Sequence, residues 1–208
     1  MKLYHWQPAP NPRRVRIFLA EKSISVPMED VGEGPRLRSD YRANYSFAMV
    51  PMLELDDGTQ IGEAMAICRY FEDLHPDPPL MGVDARDKAV VDMWERRAWN
   101  EGMAGAAEVF RNTHAAFVDR GLPGFSEPVP QIPALVERGR RRVAHFFQVF
   151  DAQLAGRSYV AGERYSVADI TTLCSIDFAK MAKIDIPREC TDLRRWYETV
   201  SARPSARA

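Results

Sequence analysis

The sequence predicts two domains, an α/β domain with the element order βαβ–ββα followed by an all-helical domain, and three observations carry that prediction. Strand-like and helix-like patterns alternate over the first 75 residues. A proline-rich stretch at 77–82 then interrupts the chain, and beyond it strand signals give way to long segments with apolar residues at helical spacing. The expected boundaries are a first domain over 1–76, a linker over 77–85 and a helical domain over 86–208.

Residues 2–6 are a short aromatic-rich run stopped by Pro8 and Pro10, which reads as a strand. Pro12 suits the first turn of a helix, where its missing N–H costs nothing, and Val15, Phe18 and Leu19 continue at helical spacing up to Lys22. A second strand is expected over 26–31, and residues 32–44, which mix Gly, Pro and charge without a period, read as loop with some helix. Strands over 52–55 and 59–61 flank Asp56-Asp57-Gly58, a dipeptide end suited to a tight hairpin. Glu63 opens a helix that places Ile67, Tyr70, Phe71 and Leu74 on one face and ends at His75-Pro76. In the second half, the proline-free residues 84–118 read as one long helix through Val90, Val91, Trp94 and Ala98. Four prolines and two glycines make 121–133 a loop. Residues 135–154 carry a stripe of Val143, Phe146, Phe147, Phe150 and Leu154, with Arg138, Arg140, Arg141 and Arg142 as a solvated face. Two further helices are expected over 166–183 and 192–202, the first opened by a capping box of Ser166 and Asp169.

Composition narrows the function classes. The chain of 208 residues is 46% hydrophobic and 27% charged, enough for a core. With 28 Lys plus Arg against 29 Asp plus Glu there is no global field for a phosphate backbone or an anionic bilayer, so neither nucleic acid nor a membrane is expected as a partner. No apolar run approaches the ~18 residues of a membrane span. Cys68, Cys174 and Cys190 are odd in number, widely spaced and without C-x-x-C, which excludes a disulfide framework and a zinc cage. A cytoplasmic protein without a metal is expected.

The motif Gly162-Glu-Arg-Tyr-Ser166-Val-Ala-Asp169, taken with Val50-Pro51 before a strand, Glu63-Ala64 at a helix start and the proline-rich linker, resembles the soluble glutathione transferase family. RVRIFLAEK at 14–22 and AICRYFEDLHP at 66–76 look like the first and last helices of that family's thioredoxin-like domain. The resemblance implies that glutathione is a co-substrate, that the backbone of Val50 pairs with its cysteinyl part ahead of a cis Pro51, and that Glu63 holds the γ-glutamyl ammonium while the amide of Ala64 receives the neighbouring carboxylate. It also implies a two-fold homodimer through the start of the long helix, with Met93, Trp94, Arg96, Arg97 and Trp99 as a reasonable contact set.

The sequence departs from the family pattern at the thiol. Ala9 stands where the family's serine or cysteine precedes a proline, and a methyl group donates nothing to a thiolate. Tyr4 lies one residue off the face used by the family's tyrosine and reads as core. Ala64 replaces a usual serine, and Met49 stands where a lysine often precedes the Val-Pro step. Asn11 is the substitute thiolate stabiliser, through its amide N–H₂, or else the N-cap of the Pro12 helix. Trp6, Phe110, His114 and Phe117 are candidate walls of an apolar pocket for a small electrophilic or disulfide substrate. The expected activity is attack of an activated glutathione thiol on an electrophile, the alternatives being a glutathione-dependent disulfide reductase or lyase and a non-catalytic binding module.

Overall fold

The structure is a computed structural model and describes residues 1–32, 38–45, 48–125 and 127–208. The chain divides into two compact units, Met1–Pro78 with Arg207–Ala208, and Pro79–Ala206.

The first unit runs β1 (Lys2–His5), α1 (Pro10–Glu21), β2 (Met28–Asp30), α2 (Ser39–Asn44), β3 (Met52–Glu54), β4 (Gln60–Gly62) and α3 (Ala64–Leu74). This is the expected βαβ–ββα order. Its helical residues within 32–44 are α2, while the part of that stretch over 33–37 lies outside the described residues. The strands order β2-β1-β3-β4, with β1 parallel to β2 and antiparallel to β3. The hairpin forms at the Asp-Gly step: Gly58 takes φ +85, a value its missing Cβ permits, and Leu55 N–H donates to the Thr59 carbonyl at 2.9 Å. Alternation along the strands sorts the core into two faces. Tyr4 and Met52, opposite each other in register, cluster with Val31 and Tyr41. Leu3 and Leu53 form the next pair and face the other way, both 0% exposed. Buried Lys22 ends α1 as an anchor, its ammonium 2.8 Å from Glu72 and donating to the carbonyls of His75 and Pro78 at 2.6 and 2.7 Å.

The second unit contains α4 (Ala85–Arg97), α5 (Ala104–Thr113), α6 (Ala134–Leu154), α7 (Val167–Met181) and α8 (Thr191–Ser201). The single long helix expected over 84–118 is corrected in two places. Ala98–Met103 is a π-helical segment, and the helix stops at Thr113 before a 3-10 turn, Ala115–Phe117. The wide turn accompanies close packing that no Cβ allows: one added at Gly102 would lie 2.9 Å from Ser175 Cβ and 3.0 Å from the Phe146 ring. Central to this unit, α7 is buried at every residue from Val167 to Ile176 and packs on α4, the π-helical segment, α5 and α8. Its capping box is present, and Asp169 does more than cap. Fully buried, its carboxylate accepts from the N–H groups of Val160 and Ser166 at 2.9 and 3.0 Å, from Ser166 Oγ at 3.2 Å, and from the Trp196 indole at 3.0 Å. Burial pushes its pKa up to about 6 against those donors. Cys68, Cys174 and Cys190 are buried and not disulfide-bonded, and burial raises the Cys190 thiol. Among the described residues no helix is long and apolar enough to cross a membrane.

Candidate functional site

Strand register assembles the candidate site in the first unit. Tyr4 pairs with Met52, and Met52 with Gly62. The residues that follow β1, precede β3 and follow β4 therefore meet at one end of the sheet: the link 6–11, Val50-Pro51, and Glu63-Ala64.

The Val50-Pro51 peptide bond is cis. The Val50 side chain packs against the Tyr4–Tyr41 cluster, while its backbone N–H and C=O pair with no other described residue. Such a pair of groups at the head of a strand is what an extended peptide needs to add itself as a further strand.

At the start of α3, Glu63 is the N-cap residue, with φ +64 and ψ 121. A non-glycine residue held in this region costs about 1–3 kcal/mol and persists only where the surroundings impose it. Its exposed carboxylate makes no ion pair or hydrogen bond with another described residue and gives no cap to the helix. The first helical donor is Ile67 N–H, to the Glu63 carbonyl at 3.1 Å, and the amides of Ala64, Met65 and Ala66 have no partner among the described residues. The open amides form the positive end of the helix dipole, and the Glu63 carboxylate sets a negative charge beside it.

The start of α1 differs from the sequence expectation. The helix begins at Pro10 rather than Pro12, because both prolines fit a first turn, and Ala9 is the N-cap. Asn11 is thus the second helical residue and not the cap. Pro10 and Pro12 lack an N–H, Arg13 N–H donates to the Ala9 carbonyl at 3.3 Å, and Ala9 N–H donates to Trp6 at 3.0 Å. The N–H of Asn11 has no partner among the described residues. Its side-chain oxygen accepts from Arg14 Nη1 at 3.4 Å, which leaves the N–H₂ as donor. The Ala9 methyl is buried, at 5% exposure. Upstream, the link is pinned by Arg16, whose Nη2 donates to the Gln7 carbonyl at 3.0 Å and whose Nη1 lies 3.4 Å from His5 Nδ1. Burial, and then the Arg16 charge, lower the His5 pKa.

In the helical unit, Phe110, His114 and Phe117 form one aromatic cluster, with ring centroids 5.1, 5.4 and 5.9 Å apart. His114 Nδ1 accepts from Ala116 N–H at 3.2 Å, so neutral His114 carries its proton on Nε2. Trp6, half-buried, belongs to the first unit. Among the described residues no group of three or more His, Cys, Asp or Glu side chains is placed to hold a metal. Sequence reasoning missed Tyr41 and the conformation of Glu63. The aromatic spacing Tyr41-x-x-x-Tyr45 was the available signal for the former, and nothing in a glutamate announces the latter.

Comparison with known proteins gives this architecture a family. Residues 3–79 match the glutathione S-transferase N-terminal domain and residues 113–204 the glutathione S-transferase C-terminal domain. Glutathione S-transferase 2 of Saccharomyces cerevisiae is 35% identical over 213 residues, covering 100% of this chain and 88% of the relative. The crystal structure of a glutathione S-transferase domain-containing protein of Marinobacter aquaeolei VT8 superposes with a TM-score of 0.89 at 34% identity, covering 99% of both chains. A glutathione S-transferase of Methylobacillus flagellatus KT, crystallised with GSH bound, superposes with a TM-score of 0.79 at 25% identity, covering 98% of this chain and 96% of that one. The chain belongs to the glutathione S-transferase family.

Proposed function

We propose that the protein binds glutathione in its first unit and activates the thiol for attack on a small electrophile. The observation that carries this reading is the set of donors and acceptors, unpaired among the described residues, that strand register gathers at one end of the sheet: Val50 N–H and C=O, the Glu63 carboxylate, the amides opening α3, and the two donors of Asn11. Val50 takes the cysteinyl backbone as an added strand, with Pro51 shaping the turn. Glu63 accepts from the γ-glutamyl ammonium, and the Ala64 amide donates to the adjacent carboxylate. The sulfur then faces the start of α1, where Asn11 N–H and N–H₂ stabilise the thiolate. A free thiol titrates near ~8.5, and each unit of depression is worth about 1.4 kcal/mol. The proton leaves to solvent, the sulfur bonds to the electrophilic carbon, and the leaving group departs with the electron pair of the bond it breaks. No side-chain base is needed.

On the helical unit, Phe110, His114 and Phe117 are the side chains proposed to meet the apolar part of the electrophile. The proposed working form is a cytoplasmic homodimer acting in detoxification. Within the proposed contact set, Met93 is 49% exposed and Arg97 lies over the Trp94 ring at 5.8 Å. The buried Ala9 methyl favours one second reading, a binding module without turnover. Calorimetric titration with glutathione, followed by turnover of an aryl halide and of a glutathionyl disulfide, tests the binding and the reaction. Binding with halide turnover supports the transferase, disulfide turnover alone a reductase, and binding without turnover the module. Absence of binding overturns the reading.

A further inference from the structure

The Met49 carbonyl and the Val50 N–H belong to one peptide group, and a buried side chain outside the ligand-facing set grips that group from one side. The Tyr41 hydroxyl donates to the Met49 oxygen at 2.7 Å. This peptide is trans, since the cis bonds among the described residues are Val50-Pro51 and Asp77-Pro78. In a planar trans peptide the N–H points opposite to the C=O. With the oxygen drawn toward the Tyr41 hydroxyl, the Val50 N–H is directed away from it.

Packing and hydrogen bonding hold the grip at both ends. Tyr41 is the buried residue of α2, and its ring lies 5.4 Å from that of Tyr4 and 4.6 Å from that of Tyr45. Burial raises its phenol pKa, so the hydroxyl stays a donor throughout the working pH range. Next to the gripped peptide, Ala48 sits at φ +46, a left-handed conformation that a non-glycine residue keeps only when held. Its N–H donates to the Tyr45 carbonyl at 3.0 Å. A hydrogen bond accepted by a carbonyl also polarises the amide and strengthens its N–H as a donor.

We propose that Tyr41 is a positioning residue for glutathione, fixing the plane of the Met49–Val50 peptide so that the Val50 N–H meets the cysteinyl carbonyl. This rests on the reading that Val50 pairs with glutathione. The effect belongs to binding of the tripeptide backbone and not to the thiol step.

The test is Tyr41→Phe, which keeps the ring and removes the hydroxyl, compared with Tyr45→Phe, whose hydroxyl donates instead to Glu54. Calorimetry should show Tyr41→Phe binding both glutathione and S-methylglutathione about three- to tenfold more weakly. Turnover at saturating glutathione should change less than twofold, and Tyr45→Phe should bind as wild type does. Unchanged affinity of Tyr41→Phe overturns the proposal, and so does an equal loss in both variants, which would mean general loosening of the cluster. A measurement that needs no substitution is the Val50 amide proton resonance of the wild-type protein, which should move downfield when glutathione is added. A Val50 resonance unmoved at saturation overturns the proposal even if Tyr41→Phe fails to fold. Wild-type protein that does not bind glutathione overturns the reading under it as well.

Discussion

The start of α7 and the starts of α1 and α3 face the same physics and answer it in opposite ways. Every helix start leaves open N–H groups and positive potential. At α7 the chain closes that end with its own Ser166 and Asp169, both buried, and locks the cap to Trp196 of α8. At α1 and α3 it withholds the cap: neither Ala9 nor Glu63 gives a side-chain bond to its helix, and neither first turn holds an acid. The difference separates fold from site. A capped start stabilises the helical unit, and the uncapped starts of α1 and α3 leave donors that the proposed function assigns to a ligand. The two open starts also differ from each other. Two prolines pare α1 down to the donors of Asn11, suited to a single sulfur atom, whereas α3 keeps three consecutive amides, suited to a carboxylate.

The largest effect that can break this comparison is Asp169→Ala. It strands four buried donors, and the expected loss is about 3–5 kcal/mol of stability, with glutathione affinity per folded molecule unchanged. An unchanged melting temperature with lost binding would move Asp169 from fold to site. Asp169→Asn sharpens the point through pH. Because the folded-state pKa is raised from 3.8 to about 6, the folded protein holds this proton more tightly than the unfolded chain. That contribution is complete below pH 3.8 and is lost as pH rises through 6. Stability of wild type relative to Asp169→Asn should therefore fall between those limits and stay level above them, which melts at a series of pH values would show. A difference independent of pH would contradict the assignment.

Next in size is Glu63→Ala, which removes the proposed charge-assisted bond to an ammonium, worth roughly 1.5–3 kcal/mol, so glutathione should bind at least about tenfold more weakly. Glu63→Gly should weaken binding equally while relieving the φ +64 backbone, raising the melting temperature by a few degrees. Calorimetry that found equal affinities in all three proteins would detach α3 from the ligand. The smallest expected effects are at α1. Asn11→Ala should raise the pKa of bound glutathione by about one to two units, and Ala9→Ser should lower it or leave it unchanged. A wild-type titration curve in Asn11→Ala would leave the backbone N–H and the helix potential as the activating groups.

How much of this the sequence shows depends on the range of the interaction. The element order, the Asp-Gly turn and the Ser166–Asp169 box follow from residues within a few positions of one another, and all three are found in the structure. Family resemblance pointed to Val50 and Glu63 as residues, but not to the positive φ of Glu63, since glutamate has no preference for that conformation. The sequence reading places the start of α1 at Pro12, whereas Pro10 meets the same first-turn condition two residues earlier and is where the helix begins. The π-helical segment depends on Gly102 meeting Phe146 and Ser175, contacts made across more than forty residues of chain. Tyr41 was hidden for a similar reason: its hydroxyl finds Met49 only once α2 has folded against the sheet.

Ultraviolet absorbance of the thiolate, followed against pH with glutathione bound to the wild-type protein, tests the central claim most directly. An open helix start that stabilises the anion predicts a bound thiol titrating at least one unit below the ~8.5 of the free thiol. Bound glutathione that titrates at or above that value would contradict the account.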